Sequence, residues 1–240
     1  ELHNMSEGGA KLRKVKELLK KEIREGATAA DLDKLAERTI IELGGTPSFK
    51  MVKGYQWTTC VNVNEGIVHG IPKKSIIFQK GDVVSIDVGM YYQGLHTDTS
   101  LTVGIDVDAK TQKFLDAGRE ALKKAITKAR EGNRIYDISE AIEVTLTSHG
   151  LTPVKALVGH GVGRELHEDP QIPCYRNGDR FKSPVIPYGA CLAIEVMYSE
   201  GNADIEVLDD GWTIVTSDGK LSALFEETVE VGKRGPVVIT

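Results

Sequence analysis

The chain has 240 residues, 40% hydrophobic and 27% charged, with a net charge of −5. That length can bury a substantial core as one large domain or two small ones, and the acidic balance argues against a general nucleic-acid binder. Three cysteines with no C-x-x-C pair speak against a disulfide framework, and no apolar run approaches a membrane span, so a reducing cytoplasm is the expected location.

In chain order, Glu1 to Asn4 precede Met5 and could be a remnant of expression. From Ser6 to Arg24, apolar residues at Leu12, Val15, Leu18, Leu19 and Ile23 have the spacing of an amphipathic helix. Seven Lys or Arg against two Glu between Lys11 and Arg24 make it basic. Such a face is usually solvated, and the sharper reading is contact with anionic RNA through Arg13, Lys14, Lys16, Lys20 and Lys21. Thr28-Ala29-Ala30-Asp31 predicts a capped second helix running to Gly44-Gly45. Strand-like segments follow at Thr58–Val63 and Val83–Thr102. A second cycle predicts helices over Lys110–Arg130 and Asp137–His149, then strands near Ala190–Met197, Trp212–Thr216 and Ala223–Val231. The order helix, helix, strands thus occurs twice without a residue-level repeat. It predicts a single α+β domain whose two similar halves share one sheet system.

The segment Val83 to Thr102, "VVSIDVGMYYQGLHTDTSLT", reads as a hairpin with Gln93-Gly94 in the turn. If Tyr91 to Gly94 form that turn, Asp87 sits directly opposite Asp98. Like charges facing each other destabilise a sheet, so either the strands are slipped or a cation lies between them. Glu195 and Glu226 lie in similar apolar strand patterns, where an ionised carboxylate is costly unless paired or metal-bound. Each alone could be an edge residue facing water; four, two per half, favour one shared site. His160 stands between glycines in Gly159-His160-Gly161-Val162-Gly163, which also fits a mobile turn, while a nucleotide loop lacks its full motif. Four carboxylates and an imidazole suit Mn²⁺, Fe²⁺, Co²⁺ or Zn²⁺. The −4 of the carboxylates balances two divalent cations rather than one. Such a pair can bridge a water, lower its pKa and polarise a carbonyl, which favours hydrolysis.

Five segments in order resemble the type I methionine aminopeptidases. They are Val61 to Pro72 ("VNVNEGIVHGIP"), the hairpin above, Gly159 to Pro170 ("GHGVGRELHEDP"), Ala193 to Met197 ("AIEVM"), and Asp210-Gly211-Trp212-Thr213 through Phe225-Glu226-Glu227-Thr228. The resemblance, over about Ser6 to Val231, implies that family's pita-bread fold: two pseudo-symmetric helix-helix-strand halves around a curved antiparallel sheet. It implies metal-dependent removal of the initiator methionine from peptides and nascent proteins with a small second residue. Asp87, Asp98, His160, Glu195 and Glu226 would then be ligands of two divalent ions, with Asp98 and Glu226 bridging. His69 would contact the substrate near the scissile amide, and His167 would bond its carbonyl. Phe49, Tyr55, Cys60, Leu166 and Trp212 fall where the family lines its methionine pocket, although plain core packing explains them equally. A monomer acting on emerging chains, docked at the ribosome through the basic helix and free of membrane, is the matching expectation.

Four positions depart from the family pattern: Val196 stands where Pro is common, Glu227 where His is common, and Leu95 and Thr97 alter the usual G-Y-H-G-D. On a strand Glu227 should point away from Glu226 and leave the site undisturbed. Two other readings remain: a proline-specific aminopeptidase or dipeptidase of the same fold, and an inactive homologue serving as a binding module.

Overall fold

Leu12, Val15 and Leu19 recur along one side of the first helix, and that side is the one it buries. In the computed structural model, which describes residues 1–240, two helices open the chain, α1 (Leu2–Glu22) and α2 (Ala29–Glu42). Five strands follow: β1 (Thr46–Pro47), β2 (Thr59–Val63), β3 (Gly66–Val68), β4 (Val83–Tyr92) and β5 (Leu95–Gly104). Helices α3 (Ala109–Ile126) and α4 (Ile135–Ser148) begin the second cycle. It continues through β6 (Thr152–Pro153), β7 (Val158–Gly161), β8 (Glu168–Pro173) and β9 (Cys191–Ser199). The chain closes with β10 (Ile205–Val207), β11 (Ile214–Thr216), β12 (Ser222–Gly232) and β13 (Gly235–Val238). No helix is long and apolar enough to cross a membrane.

The main sheet runs β1-β4-β5-β12-β9-β7-β8, with β2 added on β4, and β6 and β13 on β9 and β12; every pairing is antiparallel. The two halves meet where β5 pairs with β12. One core packs α1 and α2 on the first half through Leu12, Leu19, Ile40, Val84, Ile86 and Val88. The other packs α3 and α4 on the second through Leu115, Ile138, Ile142, Ile194, Val196 and Tyr198. This is the pita-bread arrangement, and it leaves the alternate residues of β4, β5, β9 and β12 on the face away from the helices.

The hairpin register differs from the expectation. Gln93 and Gly94 have φ of 51° and 85°. They form a two-residue loop between Tyr92 and Leu95, of the kind that needs positive φ at both central positions. The turn therefore sits one residue later than expected. Asp87 pairs with Ser100, and Asp98 with Gly89. A two-residue slip keeps the strand parity, so both acids still share one face.

Helix ends shift modestly. Thr28 Oγ1 accepts from the Asp31 amide at 3.1 Å, as its capping pattern predicts, while α3 stops at Ile126, four residues early. Glu1 to Asn4 are not outside the fold, because α1 starts at Leu2 and the Met5 amide bonds Glu1 O. Strand β7, which carries His160, was not foreseen as a strand, since its glycines have low β-propensity.

Lys16 does not belong to a solvated basic face. It is buried, with Nζ 2.7 Å from both Glu227 carboxylate oxygens and 3.0 Å from Thr99 Oγ1. Lys14, Lys20 and Lys21 remain exposed. Glu227 faces the helices, opposite to Glu226. Removing one partner of a largely buried ion pair costs about 3 kcal/mol, whereas an exposed pair is worth ~0.5. Lys16→Met should lower stability to urea by about the larger figure, and adding Glu227→Leu should recover most of it. A single-mutant loss near the exposed-pair value would show that the pair contributes little.

Candidate active site and metal centre

Register builds the site. Cys60 on β2 faces Asp87 on β4, Asp87 faces Ser100 on β5, Ser100 faces Glu226 on β12, and Glu226 faces Glu195 on β9. Directly opposed residues of antiparallel strands share a face, so these five form one row across the sheet. The neighbouring row supplies the rest. Asp98 is tied to Thr228, whose Oγ1 accepts from the Asp98 amide at 3.0 Å and donates to Asp98 O at 2.7 Å. Thr228 faces Ala193, and Ala193 faces His160 on β7. Small residues next to the acids keep this row open: Gly89 faces Asp98, and a Cβ there would lie 2.9 Å from the Ser48 side chain.

Four carboxyl groups thus converge on a buried surface, and the facing acids are Glu195 and Glu226 rather than Asp87 and Asp98. Burial raises Asp98, Glu195 and Glu226 well above the ordinary carboxyl range, and repulsion among the neighbouring acids adds to the rise. Asp87 is raised to about 7, again chiefly by burial. Asp87 Oδ1 and Glu226 Oε1 are buried without any hydrogen-bond partner. Ligand atoms of Asp98, His160 and Glu226 lie within 4.8 Å of one another.

His160 Nδ1 lies 2.9 Å from Gly161 O. A carbonyl only accepts, so Nδ1 carries the hydrogen and Nε2 keeps its lone pair, 3.5 Å from Glu195 Oε1. Burial pushes the His160 pKa down to about 4, which keeps the ring neutral. Unpartnered carboxylate oxygens beside a neutral imidazole nitrogen form a donor set that fits divalent cations.

The twelve residues singled out from sequence line a single cavity of about 150 Å³, joined only by Val52 and Val68. At one end are the acids and His160. At the other, Phe49, Tyr55, Cys60 and Leu166 are buried together, with Val52, Trp57 and Trp212 against them. Trp57 and Trp212 pack edge-on to Tyr55, at 5.2 and 5.1 Å between centroids. Burial raises the Cys60 thiol far above its ordinary value, so it is a packing group and not a nucleophile.

His69 and His167 line the same cavity, and both residues are exposed. The His167 ring lies 4.5 Å from that of His160. Desolvation by the cleft walls lowers both pKa values, and His167 lowers that of His69 further. His69 has φ of 58°, a conformation rare for a non-glycine residue and one that concentrates at functional sites. No sequence signal reveals that conformation.

His96 and Ser48 escaped the sequence reading. His96 is two residues from Asp98 and shares its face. It is buried, with Nδ1 2.9 Å from Ser48 Oγ, and so fixes the residue before Phe49.

Residues 3–233 match the model of metallopeptidase family M24. A methionine aminopeptidase of Clostridium perfringens is 39% identical over 241 residues, covering 100% of this chain and 96% of that protein. The crystal structure of a methionine aminopeptidase from Thermotoga maritima superposes with a TM-score of 0.96 at 41% identity, covering 100% of this chain and 96% of that one. The prolidase from Pyrococcus furiosus shares the fold alone, with a TM-score of 0.77 at 21% identity and 63% of its chain covered.

The raised carboxyl groups set a pH dependence. The folded state holds protons that the unfolded chain has already released. Their contribution to stability is therefore complete below the unfolded carboxyl range, around pH 4, and is lost as pH rises through about 7. Chelator-treated protein should lose stability between about pH 5 and about pH 8. Mn²⁺ or Co²⁺ at a hundredfold excess over Kd should restore about 2.7 kcal/mol, or roughly 5–10 °C in Tm, mostly at the alkaline end. Asp98→Asn removes one repelling charge and should flatten this pH profile in metal-free protein. Melting of chelated protein that is independent of pH and of added cations would rule out a shared cation site.

Proposed function

The chain belongs to metallopeptidase family M24, and we propose that it removes an N-terminal methionine from peptides and nascent proteins whose second residue is small, such as Gly, Ala or Ser. One observation carries this reading: an acid cluster fit for divalent cations and an apolar side-chain pocket are the two ends of one cavity. Methionyl aminopeptidase relatives matched over the whole chain support it.

Asp87, Asp98, His160, Glu195 and Glu226 would hold the cations. The −4 of four ionised carboxylates favours two ions over one. Bound there, such ions supply an activated water and Lewis-acid polarisation of the scissile carbonyl.

The remaining chemistry belongs to the side chains around the site. Phe49, Tyr55, Cys60, Leu166 and Trp212 take the unbranched thioether and exclude water from it. Tyr55 OH donates to Thr59 O at 2.8 Å, so its ring edge does not compete for a polar partner. Neutral His167 has one N–H to donate to the substrate carbonyl oxygen, where negative charge develops. His69, held on its strained backbone at the end of β3, orients the amide.

The proline-specific alternative rests on fold similarity alone, at 21% identity, and no second reading is favoured by the geometry. An inactive homologue would be expected to have lost ligands, whereas all four carboxylates and the imidazole are in place.

Metal-loaded protein given Met-Ala-Ser, Leu-Ala-Ser and Ala-Pro peptides side by side should cleave the first by a wide margin. Comparable turnover of all three, or of none, would falsify the assignment. The histidines should separate. His167→Ala should lower kcat about 10²-fold or more, the cost of losing one donor to a developing oxyanion, with metal content unchanged. His160→Ala should instead lower metal content measured by elemental analysis. Metal loss in the His167 variant would reverse the two roles.

A further inference from the structure

One wall of the apolar pocket is an arch without sheet pairing. Between the short helical turn Phe49–Met51 and strand β2, residues 52–58 have no strand partner. This stretch and its flanks supply Phe49, Val52, Tyr55 and Cys60 to the cavity. Its upstream foot is fixed to the sheet: the Ser48 amide donates to Gly89 O at 3.0 Å, and the Ser48 hydroxyl meets His96. Its downstream foot is fixed to a helix. Asp33, buried on α2, accepts three hydrogen bonds on the single atom Oδ1: from the Thr58 amide at 2.9 Å, and from the Thr59 amide and the Thr59 hydroxyl at 2.8 Å each.

That foot is also where the pocket meets the acids. Thr59 O receives the Tyr55 hydroxyl, and the next residue, Cys60, faces Asp87 across β2 and β4. One carboxylate therefore holds the ring that walls the pocket and the start of the strand that ends it. Hydrogen bonds to a charged acceptor are worth more than neutral ones, and leaving the buried amides of Thr58 and Thr59 unpaired would force the arch to move.

From this geometry we infer that Asp33 is a positioning residue for the side-chain pocket, so that α2 sets which N-terminal side chain is selected without touching it. The inference deepens the proposed activity and rests on it for the identity of the side chain. Its mechanical part stands separately. A pocket wall displaced by a fraction of its depth loses discrimination before it loses catalysis, because Asp98, Glu226, Glu195 and His160 stand on β5, β12, β9 and β7, none of which pairs with β2 or the arch.

The protein carries its own reporter. Its two tryptophans, Trp57 and Trp212, both pack on Tyr55. Intrinsic fluorescence therefore reads the arch, needing neither metal nor substrate. Well below the melting temperature, Asp33→Ala should increase acrylamide quenching of native protein, and Asp33→Asn, which retains an acceptor oxygen, should stay near the parent. With metal-loaded protein, Asp33→Ala should raise KM for Met-Ala-Ser more than it lowers kcat. Its Met-to-Leu selectivity should fall about tenfold, the lower range of what a pocket gains from one methylene. If Asp33→Ala does not fold, Thr59→Val removes one of the three donors and should show the same pattern in smaller measure.

A change confined to Tm, with quenching and selectivity unaltered, overturns the inference, as does a loss of kcat at constant KM. Failure of the parent to prefer methionyl peptides would instead overturn the proposed activity, and the quenching comparison would still decide whether Asp33 holds the arch.

Discussion

Everything on the open face of the sheet answers to a single electrostatic constraint: four carboxyl groups occupy two adjacent cross-strand rows in a buried place. Opposed like charges weaken a sheet, and a buried ionised acid without a partner is costlier still. Glu195 and Glu226 face each other with no basic side chain between them. The fold tolerates this only while protons or cations occupy the gap, which is why burial drives these groups toward their neutral forms. A sheet selected for stability alone would place valines there. Retaining the acids makes sense as a site whose occupant is part of the folded state.

The seam between halves explains the placement. Strands β5 and β12 lie side by side in the middle of the sheet, and each carries one of the inner acids, Asp98 and Glu226. One strand outward on each side come Asp87 on β4 and Glu195 on β9. The near-symmetry of the halves thus becomes near-symmetry of the donors, and it is broken by His160 from β7 on one side only. On the reverse face the charge is handled differently. Lys16 reaches from α1 to Glu227 and Thr99, the immediate neighbours of Glu226 and Asp98, and Thr99 Oγ1 in turn donates to Glu226 O at 2.9 Å. Alternation along a strand lets one chain present an open acid face and a paired one within two residues.

Legibility followed the periodicities. Both helix pairs showed themselves by their apolar spacing, and Thr28 by its cap. The acids were visible because carboxylates interrupt apolar strand patterns. What stayed hidden depends on register and on backbone conformation. A turn placed one residue early put the wrong acids opposite each other, since Gln93 does not announce a positive φ as Asn-Gly would. The true facing pair, Glu195 with Glu226, joins residues of two strands linked by no tight turn, so nothing local aligns them. His160 was noticed for its glycines, but the same glycines concealed its strand. Asp33 carries no motif at all; in sequence it is one more acid on a charged helix, and only burial separates it from its neighbours. The pocket residues are grouped by family resemblance; the arch between Ser48 and Cys60 explains why Phe49, Tyr55 and Cys60 are together, while Leu166 and Trp212 come to them from the second half of the chain.

Rigid and adjustable parts are divided accordingly. The four acids stand on long, paired strands whose other face is packed by helices, the placement that holds side chains most accurately. The selecting pocket is half arch, fixed at its two feet and braced by edge-on aromatic contacts. Chemistry common to many substrates wants fixed donors, because charge stabilisation depends on atoms that need not reorganise. Selection among side chains differing by a branch or a methylene involves smaller energies, and these are set by small movements of a wall. Putting the acids in the sheet and the wall on a tethered arch lets the second vary without disturbing the first. Sequence differences between relatives of this fold that alter substrate choice should therefore gather in the arch and its tethers rather than in the acid rows.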